Sequence, residues 1–384
     1  MLKRTLIAEV KQTANEFKIV CVTGPRQSGK TTLCKQVFTK MKYVSLEDPD
    51  TAFSAEKDGR TFLKQFKHGA IIDEAQRVPS LFNYLQGIVD HKNTNGQFVL
   101  TGSNNFLMQH NISQSLAGRV GYIELLPFSL NELNKNKFKN GDLNEHILRG
   151  FYPAVITKVS TAQRWFPNYI KTYLERDVRM IRNVGNIVLF SKFLKLCAGR
   201  AAQLLNVNNL ANEVGVDNKT IQAWLGVLES SYVIYLLQPY HQNFNKRVIK
   251  SPKLYFYDVG LLCSLLGIQT INALKKSNFY GALFENFMMT EIRKNRFNKE
   301  QTGDMYFFRD SSGNEVDAIV EKNDTLVAVE IKSAKKTDSS SIKNIKWFQK
   351  VFRQDGGILI NGGETTKSWD NNIEQLGWKD VEYL

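Results

Sequence analysis

The chain has 384 residues, room for two to three domains at about 150 residues each. Its 42% hydrophobic and 11% aromatic content is enough for several packed cores, which excludes global disorder. With 51 Lys+Arg against 37 Asp+Glu the formal charge is +14, an excess that suits a polyanionic partner. Nucleic acid stands ahead of membrane, because no amphipathic anchor is evident.

No run of about 18 apolar residues occurs, so no membrane span is expected. Glu9, Lys11 and Glu16 interrupt the N-terminal segment before an apolar leader could develop. Cys21, Cys34, Cys197 and Cys263 form no CxxC pair and have no histidine cluster beside them. Neither a disulfide framework nor a zinc site is expected, and a cytoplasmic setting fits.

In chain order, Leu2, Leu6, Val10, Ala14 and Phe17 are spaced as one face of an entry helix over residues 1–17. Lys18 to Thr23 is a β-branched apolar run that stops at Gly24 and predicts a buried strand. Further apolar runs at 43–46, 69–72 and 97–100 are separated by helical patterns. The alternation predicts an α/β fold with a parallel sheet and crossover helices.

Between the first strand and a helical stretch from Thr32 to Lys40, Gly24-Pro25-Arg26-Gln27-Ser28-Gly29-Lys30-Thr31 fits GxxxxGK[ST]. Glycines let backbone N–H groups wrap a phosphate chain, and the positive end of the following helix adds to the cradle. The expected ligand is ATP with Mg²⁺, held by residues 24–32. Lys30 should reach the β- and γ-phosphates, and the Thr31 hydroxyl should ligate the metal. Ala70-Ile71-Ile72-Asp73-Glu74 is a strand ending in two carboxylates. Asp73 is placed for the Mg²⁺ shell, and Glu74 to orient or deprotonate the attacking water. Ser103 or Asn104, after the strand at 98–102, suits a polar sensor of the γ-phosphate. Arg119 is a candidate cationic finger for the developing phosphate charge.

Residues 24–33, Asp73 to Pro79, Leu100 to Ser103 and Leu116 to Val120 resemble the prokaryotic AAA-type ATPases. The closer likeness is to the group whose C-terminal half is a domain of unknown function, and Tyr169 to Val178 resembles that group's linker helix. The resemblance implies a P-loop NTPase core that hydrolyses ATP. It is compatible with a homo-oligomer, in which Arg119 or another arginine would act in trans.

Farther on, Leu210, Ala211 and Val214 space a short helix and Gly215 suits a tight turn. Asp217 or Asn218 can cap a second helix through Thr220 to Leu228. Residues 231–237 and 252–257 read as strands, so the region resembles a winged helix-turn-helix. If it binds DNA, Asn218, Lys219, Thr220 and Gln222 would face phosphates and base edges, with Lys246, Arg247 and Lys250 in the wing. Such modules also serve as lids or packing units.

In the last third, a helix carries Glu285, a strand carries Asp317, and a second strand carries Glu330 and Lys332. Residues two apart on a strand share a face, so Glu330 and Lys332 project together. This order resembles the PD-(D/E)xK nuclease fold, in which carboxylates hold Mg²⁺ and a lysine activates water. The expected domains are 1–178 (ATPase), 179–260 (winged helix) and 261–384 (nuclease-like, α/β). The expected function is ATP hydrolysis coupled to DNA engagement. The alternatives are a nucleotide-dependent regulator that cuts nothing, and an ATP-gated DNA nuclease.

Overall fold

The structure, a computed structural model, describes residues 2–92, 94–103, 105–136, 138, 141–174, 186–240, 250–298, 305–322 and 325–383. Backbone contacts divide the chain into two units, residues 1–128 with 230–232, and residues 129–229 with 233–384.

The first unit runs α1 (Ile7–Glu16), β1 (Ile19–Thr23), α2 (Lys30–Val37), β2 (Lys42–Ser45), α3 (Pro49–Lys57), α4 (Gly59–Lys64), β3 (Ala70–Asp73), α5 (Leu81–Lys92), β4 (Phe98–Gly102), α6 (Asn105–Ser115) and β5 (Val120–Glu124). Among the described residues the strands form one parallel sheet in the order β2-β3-β4-β1-β5. All five residues of β1 are buried, because both sheet faces are covered. Ile19 and Cys21 pack with Ile72, Leu100, Phe82 and Leu85 on one face. Val20 and Val22 pack with Ile71, Val99, Leu6, Val10 and Leu33 on the other. The period-2 alternation of β1 thus supplies both cores. Because the strands are parallel, Thr23, Asp73 and Gly102 all lie at the C-terminal edge. In open α/β sheets that edge is where ligands bind.

The second unit begins with α7 (Leu130–Lys135), α8 (Leu143–Arg149), α9 (Pro153–Ile156) and α10 (Ala162–Tyr169). It continues through α11 (Ile187–Ala198), β6 (Gln203–Leu204), α12 (Val207–Val214), α13 (Asn218–Ser230), β7 (Ile234–Pro239) and β8 (Lys253–Phe256). Then follow α14 (Val259–Leu265), α15 (Ile271–Lys276), α16 (Tyr280–Phe297), β9 (Met305–Arg309), β10 (Glu315–Lys322) and β11 (Thr325–Lys332). The chain ends with α17 (Lys343–Phe352), β12 (Gly357–Asn361), β13 (Lys367–Trp369) and β14 (Ile373–Gly377). Among the described residues its strands order as β13-β14-β12-β11-β10-β9-β7-β8-β6. β9, β10 and β11 are antiparallel neighbours, and β12 lies parallel beside β11. One face packs Val316, Ile319, Ala328 and Leu359 against Ile345 and Phe348 of α17.

Two expectations about organisation change. The boundary expected at 178 falls at 128, because the segment from 129 bonds into the second unit. The Glu291 carboxylate accepts from Leu130 N at 2.6 Å, and Asp258 accepts from Phe151 N at 2.8 Å. The boundary expected at 260 has no counterpart in the sheet, because β7 pairs with β9 (Gln238↔Tyr306) and joins the two strand groups. No helix of the described residues is long and apolar enough to cross a membrane.

Candidate nucleotide site and C-terminal acidic centre

The loop from β1 to α2 takes backbone conformations its glycines allow. Gly24 has φ 141° and Gly29 φ 99°, where a side chain is strained. A Cβ on Gly24 would collide with the Leu125 carbonyl. Gln27 also has a positive φ, 60°, and is exposed. Pro25 and Ser28 are buried, and the Ser28 hydroxyl has no hydrogen-bond partner among the described residues. Lys30 opens α2 and donates from Nζ to the carbonyls of Gly24 and Pro25, at 2.9 Å each. Burial lowers its pKa to about 8, while the Glu74 and Asp73 carboxylates pull the other way. Thr32, one residue past the motif, is exposed. Arg26 lies 3.6 Å from Glu47, which also has Arg77 at 4.0 Å.

β3 delivers Asp73 to this loop. Its Oδ2 accepts from the Thr31 hydroxyl at 3.0 Å and from the Tyr43 hydroxyl of β2 at 2.8 Å. Its Oδ1 accepts from Thr101 of β4, the strand between β3 and β1. Glu74 follows at φ 53°, ψ 45°, a left-handed conformation rare for a residue with a side chain. Such an outlier costs roughly 1–3 kcal/mol and persists where surrounding structure enforces it. Its Oε2 accepts from the Ser103 hydroxyl at 3.0 Å and from the Gln76 amide. Asp73 and Glu74 are both buried, so these bonds replace water.

The donor set fits a magnesium-bound nucleotide. A hydroxyl and a carboxylate, the hard oxygen donors that Mg²⁺ prefers, stand 3.0 Å apart at the mouth of a cradle that side chains would block. The unpartnered Ser28 hydroxyl faces the same need for a polar ligand.

The structure brings Lys30, Thr31, Asp73, Glu74 and Ser103 together, but not Arg119. Arg119 precedes β5, and its carbonyl accepts from Ile19 N at the start of β1, the end opposite the loop. Four residue steps of strand, about 13 Å, separate the two ends. Its guanidinium grips Asp90 with two bonds of 2.7 and 2.8 Å. The expectation of a finger to the chain's own phosphates is corrected accordingly. Asn104 lies outside the described residues. Sequence reasoning missed Tyr43, Gln76 and Thr101. Thr101 carried a signal, a hydroxyl inside an apolar strand.

In the second unit, Asp217 caps α13, accepting from Thr220 N at 2.8 Å and from its hydroxyl at 3.1 Å. Thr220 is thereby engaged in the cap, while Lys219 and Gln222 are exposed. Asn218 donates to Asn208 at 2.6 Å. Lys246 and Arg247 lie outside the described residues; Lys250 is exposed.

Glu285, Asp317, Glu330 and Lys332 do gather. A register shift between Val316 and Ile319, the stretch that holds Asp317, puts an extra residue into β10, the kind of bulge that re-aims a side chain. Asp317 Oδ2 accepts from Ile331 N at 2.8 Å. Lys332 donates to Glu330 Oε1 at 2.6 Å, and Asn344 donates to the same oxygen at 3.1 Å. Burial first, and Asp317 second, push Glu285 up to about 7 and Glu330 up to about 8. Other residues of the cluster were not anticipated, Lys253 foremost. Lys253 of β8, its side chain 3% exposed, stands 3.3 Å from Glu285, 2.5 Å from Glu315 and 3.7 Å from Asp317.

Residues 16–134 match the model of the AAA domain family. Residues 140–272 and 280–380 match two domains of unknown function, DUF8612 and DUF4143. Uncharacterized proteins of Mycobacterium tuberculosis and Mycobacterium bovis are each 29% identical over 340 residues, covering 86% of this chain and 74% of their own. Among solved structures, a Walker-type ATPase of Pyrococcus abyssi aligns over 69% of this chain and 96% of its own, at 12% identity and a TM-score of 0.43. The family match supports an AAA-type P-loop domain in the first unit.

Proposed function

We propose that the chain is a Mg²⁺-dependent ATPase whose turnover is coupled to engagement of DNA by its second unit. The observation that carries the ATPase reading is the 3.0 Å bond between the Thr31 hydroxyl and Asp73, directly beside the loop that Lys30 crosses. In this reading the loop amides and the Lys30 ammonium bind the phosphates. Thr31 and Asp73 hold Mg²⁺, which when bound neutralises phosphate charge. Both bonds from Ser103 and Gln76 end on Glu74 Oε2. They orient the carboxylate so that Oε1 can position the attacking water and take its proton.

DNA engagement is the second half of the proposal. It is supported by the +14 charge, by the order α11-β6-α12-α13-β7-β8, which suits a winged helix, and by exposed Lys219 and Gln222 on α13. The order α16-β9-β10-β11-α17-β12 likewise suits a nuclease-like core.

The test is the ATPase rate with added single- and double-stranded DNA at two salt concentrations. Stimulation that weakens steeply with salt supports coupling through phosphate contacts. Turnover indifferent to DNA overturns the coupling and leaves a nucleotide-dependent regulator.

A further inference from the structure

In Ser251-Pro252-Lys253-Leu254-Tyr255-Phe256, the lysine is the one charge in a strand buried along its whole length. A buried ammonium survives only where partners compensate its lost hydration. Lys253 has three carboxylates within 4 Å, from α16 (Glu285) and β10 (Glu315 and Asp317).

The backbone around it leaves little freedom to withdraw. Asn286 of α16 bonds both main-chain groups of Phe256, accepting from N at 2.7 Å and donating to O at 2.9 Å. Thr290 donates to the same carbonyl at 3.0 Å. The helix that carries Glu285 therefore clamps the strand that carries Lys253. Tyr255, two residues along β8, donates to Glu285 Oε1 at 2.7 Å, the oxygen that Lys253 also approaches.

We propose that Lys253 is the resident cation of the C-terminal acidic centre, filling the position a divalent metal would need between Glu285, Glu315 and Asp317 and keeping the centre free of metal. Mg²⁺ and Mn²⁺ need carboxylate oxygens at about 2.0–2.2 Å, and those oxygens already surround the ammonium. A second cation entering there would face the Lys253 ammonium at close range in a buried site. The position between Glu285, Glu315 and Asp317 is thus already taken, so the carboxylates that Lys253 touches do not fit the metal that the nuclease-like order implies. The ammonium instead ties α16, β8 and β10 together. This inference is independent of the nucleotide site.

The test is calorimetric titration of the full chain with Mn²⁺, without nucleotide, on four proteins: wild type, Asp317→Asn, Lys253→Met and Lys253→Met/Asp317→Asn. Binding that does not involve the acidic centre is the same with and without Asp317→Asn. The expected result is that wild type and Asp317→Asn titrate alike. Lys253→Met gains one further Mn²⁺ per chain, and the double variant loses it. A wild-type site that Asp317→Asn removes overturns the proposal. So does a Lys253→Met chain that melts cooperatively yet gains no Mn²⁺. If Lys253→Met does not fold, the wild-type and Asp317→Asn pair decides alone.

Discussion

Glu74 shows how one residue can be both strained and functional. Its backbone is left-handed, and Ser103, just past β4, and Gln76 hold one carboxylate oxygen. Replacing it by glutamine keeps the shape and removes the base. Glu74→Gln should bind Mg-ATP as wild type and lose about 100-fold or more in turnover, read from single-turnover hydrolysis. Normal turnover would remove Glu74 from the role. Gly24 tests the cradle instead. Gly24→Ala meets both the Leu125 carbonyl and a φ of 141°. It should cost about 1–3 kcal/mol in chemical denaturation and abolish nucleotide binding.

At the scale of elements, Asp258 is the cap on which α14 depends. It is fully buried and accepts from Leu261 N at 3.0 Å within the cap and from Phe151 N at 2.8 Å across the unit. Asp258→Ala would leave two amides unsatisfied and should destabilise the second unit by about 2–4 kcal/mol. A loss under about 0.5 kcal/mol would contradict the cap. β11 supplies a pH dependence. Burial and Asp317 raise the Glu330 pKa to about 8, against the pull of Lys332 and Asn344. A raised carboxyl pKa means that the folded chain binds the proton more tightly than the unfolded one. The associated stability is complete below about pH 4.5 and is lost as pH rises through about 8. Glu330→Gln should flatten that decline in melting temperature, and an unchanged slope would show that Glu330 does not carry it.

The elements most legible in the sequence were those whose burial is uniform. β1, β3 and β4 are apolar and buried throughout, and each ends at small or acidic residues, so both motif and strand were readable. β5 was not expected. Gly121 interrupts its pattern, and Tyr122 is 45% exposed. Thr31, Asp73 and Glu74 were readable because spacing along a strand or loop fixes their placement. Arg119 does not reach the chain's own phosphate loop, because a motif says nothing of which end of the sheet a side chain reaches. Lys253 lies 32 residues from Glu285, and the β8–β7–β9 pairing, together with the bonds from α16 to Phe256, brings its strand to the acidic centre. A lysine inside an apolar strand was the available signal.

For the molecule as a whole, the +14 charge describes how the surface meets polyanions. It does not identify the ligand. That rests on the loop of residues 24–31 and on Asp73, and all proposed coupling to the second unit follows from it. The most direct measurement is calorimetric titration of Mg-ATP into the Glu74→Gln chain, with and without Lys30→Ala. The account predicts saturable binding of one nucleotide per chain to Glu74→Gln and its loss when Lys30 is also replaced. No heat from Glu74→Gln, or equal binding without the lysine, would contradict it.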